Sequence, residues 1–341
     1  MVSIKDVARF AGVSDKTVSR VVNREPNVRQ ETHEKVEEAI ARLNYVPNQS
    51  ARLVRTNRSR TIGIMTDMVS TMPYSGDIVR GVQDWARQAG RSVLITNTGG
   101  DKQEEARAWR TFLEHRIDGV IYATMSHRAV DFRRSETPIT TVLVNCFSES
   151  DDQFAAIIPD DYSGSVRLTE HLLSLGHRRI GYMRLNPVLR AADLRLSAFR
   201  DTLRRRAVAV DESLVLPGMY GVVGQDTNVS FESTRTLLDL PEPPTAILCG
   251  NDEIAMQVYC AVLSAGRHVP DDVSIAGFDD FHTVSHGLRP ALTTAALPYH
   301  FLGVEGARML DALLQGDDRP IGIRLADCPL IQRQSTGPAP N

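Results

Sequence analysis

Residues 14–23, Ser14-Asp15-Lys16-Thr17-Val18-Ser19-Arg20-Val21-Val22-Asn23, decide how the chain is read. At about 100° per residue, Val18, Val21 and Val22 fall within one arc of a helix. Lys16, Ser19, Arg20 and Asn23 fall within the opposite arc. The apolar arc docks on a small core. The polar arc offers a guanidinium, an ammonium and short hydrogen-bonding groups. That surface suits the DNA major groove, where Arg reads guanine edges and Ser or Asn holds phosphate. Within these ten residues alone, a solvated helix face fits equally well. The flanking sequence separates the two.

Upstream, Ser3 and Asp6 have capping-box spacing, followed by Ile4, Val7, Ala8 and Ala11 at helical intervals. Gly12 breaks the pattern. Ser14 then caps a second helix, with Val13 and Val18 placed as a hydrophobic staple. Two short helices around a Gly-containing turn make a helix-turn-helix. A third helix over 31–43, with Val36, Ile40 and Leu43 on one face, supplies its floor. Residues 1–60 hold twelve Lys and Arg against seven Asp and Glu, a net charge of +5, and the remainder carries −8. A basic head on an acidic body is the arrangement expected when only the head meets a polyanion.

Two runs resemble the LacI/GalR family of bacterial transcription regulators. One extends from Ile4-Lys5-Asp6-Val7-Ala8 through Ala11-Gly12-Val13-Ser14 to Thr17-Val18-Ser19-Arg20-Val21-Val22-Asn23. The other is Leu43-Asn44-Tyr45-Val46-Pro47-Asn48. The similarity extends to about residue 300. The resemblance implies that Asp15, Lys16 and Arg20 read bases, with Asp15 either accepting from a cytosine amino group or orienting Lys16. It implies phosphate contacts from Ser14, Thr17, Ser19, Asn23, Thr32, Tyr45 and Asn48. It also implies a homodimer on pseudo-palindromic double-stranded operator DNA.

Residues 48–55 follow Pro47 and have room for two helical turns, below the roughly 12–15 residues a helix needs to persist alone in water. They are expected to order only when two copies pack over DNA. In the family such a hinge wedges an apolar side chain into the minor groove. The matching segment here contains Ala51, Leu53 and Val54. Val54 stands where most relatives carry Leu, and Leu53 stands where a small residue is usual. Which of the two levers the bases stays open.

Beyond residue 60, short β-branched strands alternate with amphipathic helices. Strands are expected over 61–66, 92–97, 119–124, 140–145, 179–184, 245–250 and 273–278. Helices are expected over 78–89, 103–115, 163–175, 193–206, 228–240, 252–265 and 299–314. Such alternation over 280 residues predicts doubly wound parallel sheets in two lobes. The resemblance makes this the α/β periplasmic-binding-protein type I fold, with crossovers near 159–162, 288–292 and 320–326. The expected division is an all-α head at 1–47, a hinge at 48–60, a first lobe from 61–159 and 291–321, and a second lobe from 160–290 and 322–341.

Ligands of open α/β sheets bind at the carboxyl ends of strands. By resemblance the effector-binding residues are Pro73, Tyr74, Ser75, Arg195, Asn251 and Asp279. Arg184 stands where Gly is frequent, and either narrows the cleft or brings charge for an acidic or phosphorylated ligand. Leu297 replaces a frequent polar contact. Asp252 reads as a helix N-cap. A carboxylate, a guanidinium, an amide and an aromatic face together suit a polyhydroxylated ligand, a mono- or disaccharide. Asp279 and Asp280 near His282 and His286 raise a metal site as an alternative, but no further ligand cluster accompanies them, and no metal or cofactor is expected.

No apolar run approaches 18 residues, and Met1-Val2-Ser3-Ile4-Lys5 does not read as an export leader, so a cytoplasmic protein is expected. Cys146, Cys249, Cys260 and Cys328 lack metal or redox spacing and read as buried thiols. No nucleophile elbow, Walker loop or dinucleotide loop appears, which argues against an enzyme. The leading expectation is a DNA-binding repressor set by a small molecule. A solute-binding protein for transport or sensing is the alternative, opposed by the basic head.

Overall fold

The computed structural model describes residues 2–22, 27–45, 59–68, 76–131, 133, 137–150, 154–222, 225–316 and 322–340. It divides into two compact units, Met1–Ser59 and Arg60–Asn341.

The first unit holds α1 (Ile4–Ala11), α2 (Asp15–Val22) and α3 (Gln30–Arg42). Ser3 and Asp6 form the reciprocal capping box: the Asp6 N–H donates to Ser3 Oγ at 3.3 Å and the Ser3 N–H to Asp6 Oδ2 at 2.9 Å. Gly12 ends α1 at φ 66°, the left-handed conformation that favours glycine. The Thr17 N–H donates to Ser14 Oγ at 3.2 Å, so Ser14 caps the start of α2. Val7, Ala8, Val18, Val21, Val36, Ala39 and Tyr45 close a core among the three helices.

The second unit contains two six-stranded sheets. The first runs in the order β13-β5-β4-β3-β1-β2, from β1 (Thr61–Thr66), β2 (Ser92–Asn97), β3 (Gly119–Val130), β4 (Thr141–Ser148), β5 (Ala155–Pro159) and β13 (Ile323–Ala326), all parallel. The second runs β14-β12-β11-β10-β6-β7, from β6 (Ile180–Arg184), β7 (Val215–Pro217), β10 (Ala246–Cys249), β11 (Ser274–Asp279), β12 (Thr293–Ala296) and β14 (Leu330–Ile331). Only β14 runs antiparallel to its neighbour. A separate hairpin joins β8 (Met219–Val222) to β9 (Gln225–Asn228). Helices α4 (Gly76–Gln88), α5 (Lys102–Glu114) and α11 (Tyr299–Leu314) accompany the first sheet. Helices α6 (Asp161–Ser174), α7 (Arg190–Arg205), α8 (Ser230–Leu238), α9 (Asp252–Ser264) and the short α10 (His282–Ser285) accompany the second.

The lobe boundaries differ from those expected. Thr293–Ala296 pairs with β11 in the second lobe, although 291–321 was assigned to the first. Ile323–Ala326 pairs with β5 in the first lobe, although 322–341 was assigned to the second. The chain therefore crosses at 160, at 297–298 and at 327–329. Leu297 lies at a crossing and packs against the cores of both lobes, which accounts for an apolar residue there. Cys146, Cys249 and Cys328 are buried free thiols, whereas Cys260 is exposed, contrary to expectation.

Helices α4 and α11 pack backbone to backbone. A Cβ at Gly81 would stand 2.1 Å from the His300 carbonyl, and one at Gly303 would stand 2.1 Å from the Ile78 carbonyl. Neither obstacle is a flexible side chain, so a methyl group must force the helices apart. Gly303→Ala is expected to lower stability by about 1–3 kcal/mol through overpacking, read as a lower urea midpoint. An unchanged midpoint would contradict the close crossing.

Candidate DNA-reading face and effector cleft

On α2 the buried side is Val18 and Val21, and Asp15, Lys16 and Arg20 are exposed. Ser14 is exposed at the helix start, Thr17 and Ser19 are half-buried, and Thr32 is half-buried on α3. The helix thus separates its packing residues from a polar, largely exposed face. The Tyr45 ring is a member of the head core, and the residue is 9% exposed. Asn23, Asn48, Ala51, Leu53 and Val54 lie outside the described residues, as do Pro73, Tyr74 and Ser75.

In the second unit, the carboxyl ends of both sheets converge on Arg195. This side chain is 4% exposed. Its Nε and Nη2 donate to Asp161 Oδ1 at 2.7 Å, and its Nη1 donates to the Gly250 carbonyl at 2.6 Å and to Asp279 Oδ1 at 3.5 Å. The guanidinium carbon lies 3.6 Å from the centroid of the Phe278 ring, a cation–π contact. The structure makes Arg195 a buried hub. Burial alone would depress its pKa, but the carboxylates of Asp161 and Asp279 outweigh burial and hold the guanidinium charged.

The two carboxylates are not equivalent. Burial favours the protonated form of Asp161, yet Arg195 and a hydrogen bond from His127 overcome it and leave its pKa below the ordinary value. Asp279 is farther from Arg195. Burial raises its pKa from 3.8 to about 7 against the pull of Arg195, with repulsion from Asp161 adding to the rise. Asp279 and Asp280 occupy φ 125° and 52°, rare for residues with side chains.

That turn is held from below by Asp252. Thr294 Oγ1 donates to Asp252 Oδ1 at 2.7 Å, and the Phe281 N–H donates to Oδ2 at 2.8 Å. Asp252 is therefore not the N-cap of α9. Asn251 is, with its Oδ1 accepting from the Ile254 N–H at 2.8 Å. The expected roles of these neighbours are exchanged in part: the amide caps, and the carboxylate is fully buried as a brace. Burial, then Asp279, pushes the Asp252 pKa well up. Arg184 is exposed at the end of β6. Asp280 accepts from Ser285 and Arg333 at 2.8 Å each, and the rings of His282 and His286 stack at 3.7 Å. Among the described residues no three His, Cys, Asp or Glu side chains group as a metal site.

Four polar residues were missed. Asp67, after β1, is buried and accepts from the Met125 N–H at 3.0 Å and from Arg128 Nη2 at 3.1 Å. His127 lies within a slip in the β3–β4 register between Ala123 and Arg128, and Arg128 where pairing resumes; there Asn145 donates to the Thr124 and Met125 carbonyls at 2.9 and 3.1 Å. Asp161 is the first residue of α6. The legible signal was polar residues directly after strand patterns, Ser126-His127-Arg128 after 119–124 and Asp160-Asp161 after Ile157-Ile158-Pro159.

A helix-turn-helix head with a polar groove face, joined to a two-lobed body with charged strand ends, defines a ligand-responsive DNA-binding regulator. Residues 3–48 match the description "Bacterial regulatory proteins, lacI family", and residues 169–336 match a periplasmic binding protein-like domain. The chain is 34% identical over 343 residues to the sucrose operon repressor of Escherichia coli, covering 98% of this chain and 100% of that protein. It is 34% identical to the ribose operon repressor of Escherichia coli K12, covering 89% and 90%. A solved putative regulator from Rhizobium etli superposes with TM-score 0.79 at 48% identity over 82% of this chain and all of that one. The lac repressor dimer bound to operator and the anti-inducer ONPF superposes with TM-score 0.78 at 28% identity, covering 98% and 99%. The chain belongs to the lacI family of bacterial regulatory proteins.

The Asp279 shift makes a signed prediction. Its folded pKa is raised above the unfolded value, so the folded state binds the extra proton and loses stability as pH rises between about 4 and 7. Asp279→Asn removes that cost. The variant is expected to unfold at a higher temperature than the parent at pH 8, with the gain shrinking towards pH 4. A gain independent of pH would contradict the assignment.

Proposed function

We propose that this chain is a homodimeric, sequence-specific repressor that binds a pseudo-palindromic operator and is controlled by a small sugar held between its lobes. The observation that carries the reading is the single chain in which a helix with an exposed polar side and a buried Arg195–Asp279 pair coexist. Asp15, Lys16 and Arg20 read bases, and Ser14, Thr17, Ser19, Asn23, Thr32, Tyr45 and Asn48 hold phosphates. Residues 48–60 form the hinge, with Ala51, Leu53 and Val54 over the minor groove. The relatives named for sucrose and ribose operons, and a 26% identical regulator solved with cellobiose, support a mono- or disaccharide. Asp279 offers a carboxylate to neighbouring hydroxyls, and Arg195, Asn251, Arg184 and the segment Pro73-Tyr74-Ser75 complete the contact set.

The charged groups of the cleft are engaged with one another, Asp161 with Arg195 and His127, and Asp67 with Arg128. They orient and bind, and the reading includes no catalysis. It places the protein in the bacterial cytoplasm, with its DNA. No helix among the described residues is long and apolar enough to cross a membrane.

Duplexes selected from a random pool by the full-length protein are expected to converge on a palindrome, with log affinity falling against log salt by about 0.9 per phosphate neutralised. Arg20→Ala is expected to weaken the selected duplex by about 1–3 kcal/mol and relax one base position in each half-site. Selection of no palindrome would end the repressor reading. A thermal-shift panel of mono- and disaccharides then identifies the effector, and Asp279→Ala is expected to abolish the response while operator affinity persists. An unchanged response in that variant would remove Asp279 from the site.

A further inference from the structure

His127 stands on β3 of the first lobe, and its Nδ1 lies 2.6 Å from Oδ2 of Asp161, which opens α6 of the second lobe. Both side chains are buried, at 2% and 0% exposure. The other oxygen of Asp161 receives Arg195 Nε and Nη2. An ionised carboxylate accepts and cannot donate, so His127 Nδ1 carries the proton of this bond. The Phe147 ring, from β4, meets the imidazole edge-on at 5.7 Å between centroids and fixes its plane. The result is a continuous buried chain from the first lobe into the second: His127 to Asp161, Asp161 to Arg195, Arg195 to Asp279.

We propose that His127 is a cross-lobe positioning residue: by donating to Asp161 it sets the guanidinium of Arg195 beside Asp279, so the ligand-holding pair of the second lobe is aligned only while the first lobe is docked. The inference rests on the reading of Arg195 and Asp279 as ligand-holding groups. Its physical basis is the arithmetic of Asp161. One carboxylate has two oxygens, and Arg195 occupies one of them through two N–H groups. The second oxygen is taken by a donor that no second-lobe element supplies. Undocking the lobes strips that oxygen of its donor in a low-dielectric site, where an unmatched acceptor on a charged group is costly. Asp161 must then turn towards another donor, and Arg195 turns with it. Ligand capture at Asp279 and lobe docking are thereby linked in both directions, as coupling free energies must be.

The test is hydrogen–deuterium exchange on the full-length protein without sugar. His127→Phe keeps the ring against Phe147 and deletes the donor. His127→Asn keeps an N–H donor near the position of Nδ1. The Phe variant is expected to exchange about tenfold faster at residues 161–165 and 193–198, with the sheet interior at 62–65 unchanged, and the Asn variant is expected to return to the parent rate. Faster exchange confined to 124–130, or an Asn variant that behaves as Phe does, would overturn the proposal. Should His127→Phe not fold, His127→Leu, which also lacks a donor, takes its place with the same expectation. Sucrose and D-ribose supply the second readout: where either shifts parent unfolding, His127→Phe is expected to weaken it about tenfold. Unchanged affinity beside faster exchange would confine His127 to packing and overturn the positioning role. If neither sugar, nor any in the wider panel, shifts the parent, the effector reading fails while the exchange pattern still decides the lobe linkage.

Discussion

A guanidinium removed from water constrains everything around it. Taking an ion into a protein interior costs several kcal/mol even after relaxation, and the cost is recovered only when geometry and hydrogen bonding are nearly complete. Arg195 meets that condition with partners from four places: Asp161 at the head of α6, the Gly250 carbonyl after β10, the Phe278 ring within β11 and Asp279 at its end. No two of these are neighbours in sequence except Phe278 and Asp279. The second lobe's strand ends are therefore organised about one cation, and removing it would leave two carboxylates facing each other. The compensation is uneven: Asp161 is held at 2.7 Å and Asp279 at 3.5 Å. The less compensated carboxylate is the one that titrates near 7 and the one with most to gain from a hydroxyl donor.

Asp279 is exposed to that role by backbone strain. Residues with φ of 125° and 52° cost of order 1–3 kcal/mol each unless their surroundings fix them. Here the brace is Asp252 beneath the turn, with Arg333 and Ser285 on Asp280. The close fit shows at Gly277, where a Cβ would stand 2.2 Å from Asp252 Oδ1. A buried carboxylate under a strained strand end is stable only as a unit, which is why the two aspartates cannot be assigned roles one at a time.

The sequence reading succeeded where a long periodic pattern decided the matter. Thr61–Thr66, Ser92–Asn97 and Tyr299–Leu314 lie where alternation or helical spacing puts them. It failed where elements are three or four residues long. Thr293–Ala296 and Ile323–Ala326 carry no period of their own, and their sheets are chosen by pairing partners distant in sequence, so two lobe crossings were misplaced. Asn251-Asp252 offered two capping residues in a row. The choice fell to the burial of Asp252 against Thr294, a tertiary fact. His127 was hidden for a related reason: its position depends on the register slip that Asn145 holds open, and bulges leave little trace in composition.

That head sets the scale on which ligand control must work. Among the described residues its core has seven buried side chains from three short helices and the turn after them, too little to give a large margin of stability. A small margin makes the head responsive, since a coupling of about 1–3 kcal/mol is commensurate with it. The body is built on the opposite plan, with two extensive cores and a buried ion chain linking them. Such a body can bear a coupling of that size without losing its own fold. The charge division acts in the same direction, because an acidic body is repelled by phosphate and leaves contact with DNA to the basic head.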